Sequence, residues 1–420
     1  MKRIVFIGII IIFSVYRMQA QLLAFQSFYP NFYDSSFSCL SMQTSFNTQC
    51  NSFAGSFINA IKNSSYISND IKKDNAIKKN NFAGYEWNND VSYYLQPDSL
   101  FGMESAGIHV GVSYQQFFSL SVSDDVYNLV AYGNKNYAGK HLSLKNNEYQ
   151  YYNYGTFSLG FFKNFTERRL KVSALFDVNF HLFKDVQYLY VNDGDIYTAE
   201  DGTSVEMYAK AKYYGTPSSS KLEVPGFSMN ALIRITDLPS GCTFSFQVHQ
   251  LGSLFLNKKS YYAYADTSIY FDGVTVSEIL NTPTYQAGIL SQDSLTNLYE
   301  QHIDTMKTTL MLPEAIRFSV QKKWKHTVFN MTELGTSFIF HTGQTMPVIY
   351  VLQTFSIHKN FMVGVGGRYG GFSVFNSYVM AEYAKTRNIS IKLTANALLS
   401  ILYKKYPYNF NIQAGIVKYW

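Results

Sequence analysis

Eight ionisable side chains occupy alternate positions in segments whose intervening positions are largely apolar. They are Lys171, Asp177, His181, Arg234, His249, Arg317, Arg368 and Lys392. Alternation with a period of two is the pattern of a β-strand whose two faces meet different environments. If the apolar face meets lipid, the ionisable side chains line the inside of a barrel. The residues that could do chemistry are therefore expected in a lumen.

Most of these lumen candidates are cationic, and this raises the hypothesis of a pore that favours anions. Fixed positive charges in a low-dielectric wall attract anions into the channel. The alternative is that the charges pair with carboxylates of other segments and simply fill the lumen, because buried charges are usually paired. The sequence leaves both interpretations open.

The same inward positions, which also include His109, raise the hypothesis of a catalytic site. Asp177 and His181 are four residues apart on one strand, roughly 13 Å, which is too far for a hydrogen-bonded pair. No Gly-x-Ser-x-Gly elbow is present, and no cysteine pattern resembles a zinc site. The sequence therefore predicts no enzyme, no metal and no cofactor. A membrane-embedded lipid hydrolase or acyltransferase is the least favoured hypothesis.

Two segments show the strand pattern that would position these side chains most clearly. Residues 170–182 alternate without interruption between apolar and mostly polar positions. Residues 408–420 are predicted to form the barrel-closing strand. Its apolar face includes Tyr408, Phe410, Ile412 and Trp420, which occupy alternate positions. A strand at the end of a chain has a free edge that needs a partner, and in a closed barrel that partner is the first strand.

Counting strands from residue 87 gives about 14, an even number as expected for a bacterial barrel. The count includes separate strands near 108–114 and 118–122, joined by a predicted tight turn. The sequence thus predicts an all-β fold, a transmembrane antiparallel β-barrel of about 14 strands over 87–420. An N-terminal plug or periplasmic segment is expected over 21–86. The plug is favoured because five phenylalanines there need burial: Phe25, Phe28, Phe32, Phe37 and Phe46.

The connections between strands alternate in length, and this predicts an orientation. Short connections are expected at 163–168, 238–241, 325–326, 357–360 and 385–388. Long ones are expected at 124–149, 183–225 (as an extended hairpin) and 253–312. Short turns inside and long loops outside are typical of outer-membrane barrels. The chain end and the short turns are therefore predicted to be periplasmic.

Residues 1–20 read as a signal peptide, with Lys2 and Arg3 before an apolar run that ends at Val15, and with cleavage expected after Ala20. The predicted destination is the outer membrane of a Gram-negative bacterium. The expected partners are outer-membrane lipid, the barrel-assembly machinery during insertion, and a small-molecule ligand in the lumen. Removal of Lys2, Arg3 and Arg17 with the signal peptide lowers the formal charge from +6 to +3, which is too weak to indicate a nucleic-acid partner.

Cys39 and Cys50 lie close together in the sequence and would enter an oxidising compartment. A disulfide between them is therefore one interpretation. Two buried free thiols are the other.

Three stretches of the mature chain resemble one family of proteins. They are Arg168-Arg169-Leu170, the segment from Gly226 through Leu251-Gly252 to Tyr270-Phe271-Asp272-Gly273, and the block that opens with Leu312-Pro313. The family they resemble is an uncharacterised group of bacterial outer-membrane barrels known as a domain of unknown function. The barrel with its expected plug is also similar in shape to long-chain fatty-acid transporters. These resemblances imply a transport barrel and supply no catalytic or ligand residues.

The sequence therefore favours a channel or transporter for small or hydrophobic molecules. The alternative is a non-transporting surface or secretion-assembly barrel that binds a partner through its long outer loops. The sequence leaves the transported substance and the oligomeric state open.

Overall fold

The computed structural model of this chain describes residues 37–62, 66–216, 224–271, 303–305, 307–324, 329–341, 344–371, 373–385, 388–396 and 407–420. The predicted signal peptide over 1–20 lies outside these residues. No helix in the described part of the chain is long and apolar enough to cross a membrane.

The described residues form strands and a few short helices. The strands are β1 (Phe37–Ala54), β2 (Asn80–Gln96), β3 (Ser99–Leu100), β4 (Met103–Glu104), β5 (Ala106–Ser123), β6 (His141–Ser143), β7 (Asn147–Glu167), β8 (Leu170–Thr198), β9 (Val205–Gly215), β10 (Val224–Asp237), β11 (Cys242–Leu256), β12 (Tyr261–Phe271), β13 (Ile303–Thr305), β14 (Thr308–Met311), β15 (Glu314–Lys323), β16 (Phe329–His341), β17 (Gln344–His358), β18 (Phe361–Gly370), β19 (Ser373–Lys385), β20 (Ile389–Asn396) and β21 (Pro407–Tyr419). The helices are α1 (Gly55–Lys62), α2 (Asn69–Lys73), α3 (Asp124–Tyr132) and a 3-10 turn, Asn134–Tyr137.

Fourteen of these strands form one closed antiparallel barrel. They are β1, β2, β5, β7, β8, β10, β11 and β15 to β21, each paired with the next around the wall. The last strand, β21, pairs with the first, β1, from Cys39 opposite Tyr419 to Gln49 opposite Asn409. The predicted fold class is confirmed, and the last strand closes the barrel on the first.

The prediction of a plug or periplasmic segment over 21–86 is wrong for much of that range. Residues 37–54 and 80–86 belong to β1 and β2, which are strands of the wall. Phe46, which was expected to be buried in a plug, points out of the barrel and is 38% exposed. Residues 21–36, which include Phe25, Phe28 and Phe32, lie outside the described part of the chain.

The strand count of 14 is right although two strands were assigned wrongly. The segments 108–114 and 118–122 are one strand, β5, which pairs with β2 without a turn between them. At the expected turn Tyr114 packs edge-on against Trp87, with ring centroids 6.2 Å apart, on the outer face. The strand lost by this merger is balanced by β1, which the sequence pattern did not reveal.

Burial in the barrel is the reverse of burial in a soluble protein. On the outer face Val112 is 54% exposed, Leu159 53% and Leu393 47%. On the inner face Asn179 is 2% exposed, Ser228 0% and Gln413 1%. Soluble proteins bury apolar side chains and expose amides. A wall that is apolar outside and polar inside is suited to a bilayer.

A belt of aromatic rings crosses five strands on the outer face. The rings are Phe410, Phe46, Tyr85, Phe118 and Tyr149 in order around the wall, with successive centroids 5.5 to 6.4 Å apart. Trp420 directly follows the end of β21, ten residues after Phe410, and is 64% exposed. Ten residues at a tilt near 40° span about 25 Å along the barrel axis. That height matches the apolar band of an outer-membrane barrel.

The connections that the structure describes divide the barrel into a short-turn end and a long-loop end, whereas the predicted turn at 325–326 and most of the predicted loop at 253–312 lie outside the described residues. At the short-turn end Arg169 donates a hydrogen bond of 2.6 Å to Asp237, joining two adjacent turns. At the long-loop end β8 continues far past the wall: it has 29 residues, whereas about 9 to 11 cross a bilayer. Its far part pairs with β9, and β9 pairs with β12. The extended hairpin predicted within 183–225 is thus present. The extracellular placement of this end stays a prediction.

The sheet beyond the wall carries a polar cluster around Asp266. This carboxylate accepts hydrogen bonds from Tyr208 at 2.9 Å and Tyr264 at 3.0 Å, and it lies 3.2 Å from the Lys210 ammonium. The hydrogen bonds, first that from Tyr208, lower the pKa of Asp266. The cluster is solvent-exposed and ties β9 to β12.

Cys39 and Cys50 are both buried free thiols. They lie on one strand, β1, eleven residues apart, which corresponds to about 36 Å along a strand. A disulfide needs Cα atoms within about 7 Å. Of the two interpretations, the disulfide is wrong, because an extended strand separates two cysteines that are near each other in sequence. The other interpretation, two buried free thiols, agrees with the structure.

We expect both thiols to resist a charged maleimide in the folded barrel and to react fully after denaturation. The Sγ atom of Cys50 is enclosed, 3.0 Å from the Phe53 carbonyl and 3.1 Å from the Tyr408 carbonyl. Mass spectrometry of a Cys242→Ala background isolates these two residues. A mobility change on adding reductant, or equal labelling before and after denaturation, would contradict this assignment.

Candidate functional site

The inward side chains of β8 change from apolar to polar and back to apolar along the barrel axis. From Leu175 toward the long-loop end they are Leu175, Asp177, Asn179, His181 and Phe183. The polar residues line a chamber of about 130 Å³. The residues that line this chamber belong to β1, β2, β5, β7, β8, β10, β11 and β15. The chamber therefore lies between two apolar layers.

The layer on the short-turn side is named the floor. It comprises Phe37, Cys39, Tyr94, Phe162, Leu175, Leu232, Val417 and Tyr419. The Phe162 ring lies against Gly107, where an added Cβ would be 2.3 Å from its Cζ atom. Phe37 packs on Phe162 with centroids 6.1 Å apart. Phe37 also lies 6.3 Å from Tyr419, so the floor joins strands on both sides of the barrel seam.

The layer on the long-loop side is named the roof. It comprises Phe117, Tyr152, Tyr154, Phe183, Val186, Val224, Leu254, Leu256 and Leu312. Tyr154 packs on Phe183 with centroids 4.6 Å apart. Its hydroxyl donates to Gln115 at 2.5 Å and accepts from Gln250 at 2.7 Å. Gln250 has φ of 56° at an irregularity of β11, and such bulges re-aim side chains. Here the bulge turns an amide toward the chamber.

His109 and Asp177 form a buried pair across an intervening strand. Both are register partners of Gly160 on β7. A Cβ on Gly160 would lie 1.9 Å from Asp177 Oδ1, so only glycine leaves room for the carboxylate to reach over the strand. Asp177 Oδ1 is 2.9 Å from His109 Nδ1. Tyr94 stacks on the imidazole at 4.4 Å and holds the ring in place.

His181 makes a different set of contacts on the same strand as Asp177. Its Nδ1 atom is 2.8 Å from Thr156 Oγ1, and its Nε2 atom is 2.8 Å from Ser228 Oγ. A serine and a histidine are thus in hydrogen-bond contact, but the second nitrogen meets a hydroxyl in place of a carboxylate. The histidine that has a carboxylate, His109, has no hydrogen-bond partner on Nε2 among the described residues. The parts of a catalytic triad are therefore divided between two histidines.

Four of the eight predicted lumen residues line the chamber together: Asp177, His181, His249 and Arg317. The other four lie away from it on other parts of the wall: Lys171, Arg234, Arg368 and Lys392. Each of the five predicted cations takes part in a polar or electrostatic interaction. This pattern favours charges that fill the lumen over an anion-selective wall.

Asp90 and Ser92 of β2 are among the chamber residues that the sequence interpretation missed. The Ser92 hydroxyl donates a hydrogen bond of 2.8 Å to Asp90 Oδ1. Both are inward residues of a strand whose outward positions hold Asn89 as well as Trp87, so its apolar face is incomplete. Across the described segments no group of three or more His, Cys, Asp or Glu could hold a metal ion.

No protein-family model matches the chain, and no curated protein matches it. Several solved barrels are similar in structure at low identity. The Pseudomonas putida toluene transporter TodX is 7% identical, with 92% of this chain and 89% of that chain covered and a TM-score of 0.39. A Pseudomonas aeruginosa FadL homologue is 8% identical, with coverage of 92% and 89% and a TM-score of 0.40. The translocator domain of the autotransporter NalP from Neisseria meningitidis is 6% identical, with coverage of 92% and 89% and a TM-score of 0.36. At these values the likeness carries no statement about a shared substrate.

Proposed function

We propose that the protein is an outer-membrane channel of a Gram-negative bacterium that carries small polar solutes through its lumen. The observation that carries this proposal is the polar chamber of about 130 Å³ inside a wall whose outer face is apolar. The aromatic belt and the signal-peptide pattern support the location. Outer-membrane lipid is then the permanent partner, and the barrel-assembly machinery a transient one.

The lining of the chamber favours polar solutes over hydrophobic ones. Asp90, Asn179 and Arg317 all reach its surface. A hydrocarbon placed there would remove water from these groups without replacing its hydrogen bonds, and each such loss costs about 1–3 kcal/mol. A small solute with its own donors and acceptors avoids that penalty.

Liposome swelling tests the proposed function. Vesicles that contain the purified full-length barrel should swell in iso-osmotic glycerol and, more slowly, in glucose, because the chamber is narrow. Vesicles made with heat-denatured protein provide the baseline. Swelling no faster than that baseline would contradict the proposal. That result would favour the alternative of a non-transporting surface barrel that binds a partner through the sheet beyond the wall.

A further inference from the structure

We propose that the chamber holds a binding subsite for a small polyhydroxylated solute, built around the Nε2 atom of His109. This inference deepens the proposed function and rests on it for the route by which the solute reaches the chamber. The subsite is a feature of the wall formed by β2, β5, β7 and β8.

The contact with Asp177 determines which nitrogen of His109 is available. An ionised carboxylate can only accept hydrogen bonds, so Nδ1 carries the hydrogen that it donates to Asp177 Oδ1. Nε2 is then the atom left to meet a ligand. His109 is only 5% exposed, and its Nε2 atom is buried. This atom has no hydrogen-bond partner among the residues that the structure describes. Buried polar atoms are nearly always satisfied, so this nitrogen needs a partner from the chamber, either a water molecule or a hydroxyl of a solute that replaces it.

Gly111 provides the space next to this nitrogen. A Cβ added to Gly111 would lie 3.2 Å from His109 Nε2 and 2.9 Å from Ser92 Oγ. Both polar atoms therefore border one small hollow, which the missing side chain of Gly111 keeps open. A solute hydroxyl that enters the hollow can donate its hydrogen to Nε2. A second hydroxyl of the same solute can donate to Ser92 Oγ, whose own hydrogen goes to Asp90 Oδ1.

A second open nitrogen lies in the wall of the same chamber. His249 Nδ1 is buried and has no hydrogen-bond partner within the described ranges. His249 precedes Gln250, whose irregular backbone places both residues at the chamber wall. Two imidazole nitrogens without hydrogen-bond partners in the described part of the chain, in a chamber that Asp90 also lines, favour a ligand whose O–H groups can both donate and accept.

The size of the chamber limits the ligand further. One water needs about 10–15 Å³ of such space, so the chamber holds roughly ten waters or one solute of monosaccharide size. Carboxamides such as Asn179 and Gln247 in the lining can both donate to and accept from hydroxyls. These features together indicate a sugar or cyclic polyol.

The test uses the full-length barrel in detergent micelles with D-glucose as the probe and saturation-transfer NMR as the readout. Cyclohexanol, a ring of similar size with one hydroxyl, is the comparison. We expect glucose to bind and cyclohexanol to bind more weakly. Gly111→Ala places a methyl group in the hollow without changing His109 or Asp177. It should weaken glucose binding about tenfold, as expected when one hydrogen bond to a buried group is lost.

Gly364→Ala is the matched control, because a Cβ there meets only flexible side chains at 3.1 Å or more. His109→Gln serves as a second variant if Gly111→Ala does not fold, and it should weaken binding similarly. Absence of glucose binding, or equal binding by the wild type and the Gly111→Ala and His109→Gln variants, overturns the subsite. Binding without liposome swelling supports the subsite and rejects the channel. Swelling with no saturable binding does the reverse.

Discussion

Replacing Phe162 by alanine is expected to raise the single-channel conductance of the barrel several-fold. Phe162 is 1% exposed and contacts Phe37, Tyr94 and the backbone at Gly107, so it is a central ring of the floor. Alanine removes the ring, and glycine at position 107 supplies no side chain to fill the space. The chamber then opens toward the short-turn end. Planar-bilayer recordings in a symmetric salt solution measure the change.

The matched control is Phe157→Ala on the same strand. Phe157 is 49% exposed on the outer face, so its loss removes an equal ring without widening the lumen. The interior variant should lose about 3–5 kcal/mol of folding free energy. Retention of the folded barrel in both variants must therefore be shown by heat-dependent electrophoretic mobility. Equal conductance of a folded Phe162→Ala barrel and the wild type would show that the floor does not limit passage.

The sequence predicted β8 well because the bilayer imposes one simple demand on its outward side chains. Every outward residue from Leu170 to Phe180 is apolar, so the alternation is complete. β1 was missed for the opposite reason. Its outward positions include Thr44 and Thr48, and its inward ones from Ser41 to Gln49 are serine, glutamine and asparagine. A strand that is polar on both parities cannot be told from a loop by periodicity.

The plug was predicted by a rule that does not hold in this environment. Phenylalanines need burial from water, but in a membrane barrel lipid provides it on the outer face. Phe46 illustrates the point, since it faces outward next to Tyr85 and Phe410. Phe37 was correctly expected to be buried, but it is buried in the floor of the barrel. The prediction that Phe37 is buried is therefore right, but its predicted location in a plug is wrong.

The buried pair could not be predicted because it depends on strand register. His109 and Asp177 are 68 residues apart, and they meet only because both align with Gly160. A slip of one residue in either pairing would turn one partner to the lipid face. One signal for this pair was present in the sequence: a glycine at an inward position of a strand whose two neighbours carry inward ionisable side chains. That signal is shared by many glycines that have no such role.

Leu393→Arg is expected to destabilise the barrel in lipid vesicles by about 2–4 kcal/mol, and Ile389→Arg by about 0–1 kcal/mol. Both are apolar outward residues of β20. Leu393 is the register partner of Ala414, near the middle of the span from Phe410 to Trp420. Ile389 is the partner of Lys418, close to the Trp420 end. Burial of a guanidinium near the bilayer midplane is costly, whereas an arginine near the interface can reach water.

Equilibrium denaturant unfolding in vesicles, followed by tryptophan fluorescence, measures both variants. The comparison separates a membrane wall from any other explanation of the reversed burial. Leu393 is 47% exposed, so an arginine there would be tolerated in water as readily as one at position 389. Only a hydrocarbon slab centred between Phe410 and Trp420 makes the two positions differ. Equal free-energy changes for the two variants would therefore contradict the placement of this wall in a bilayer.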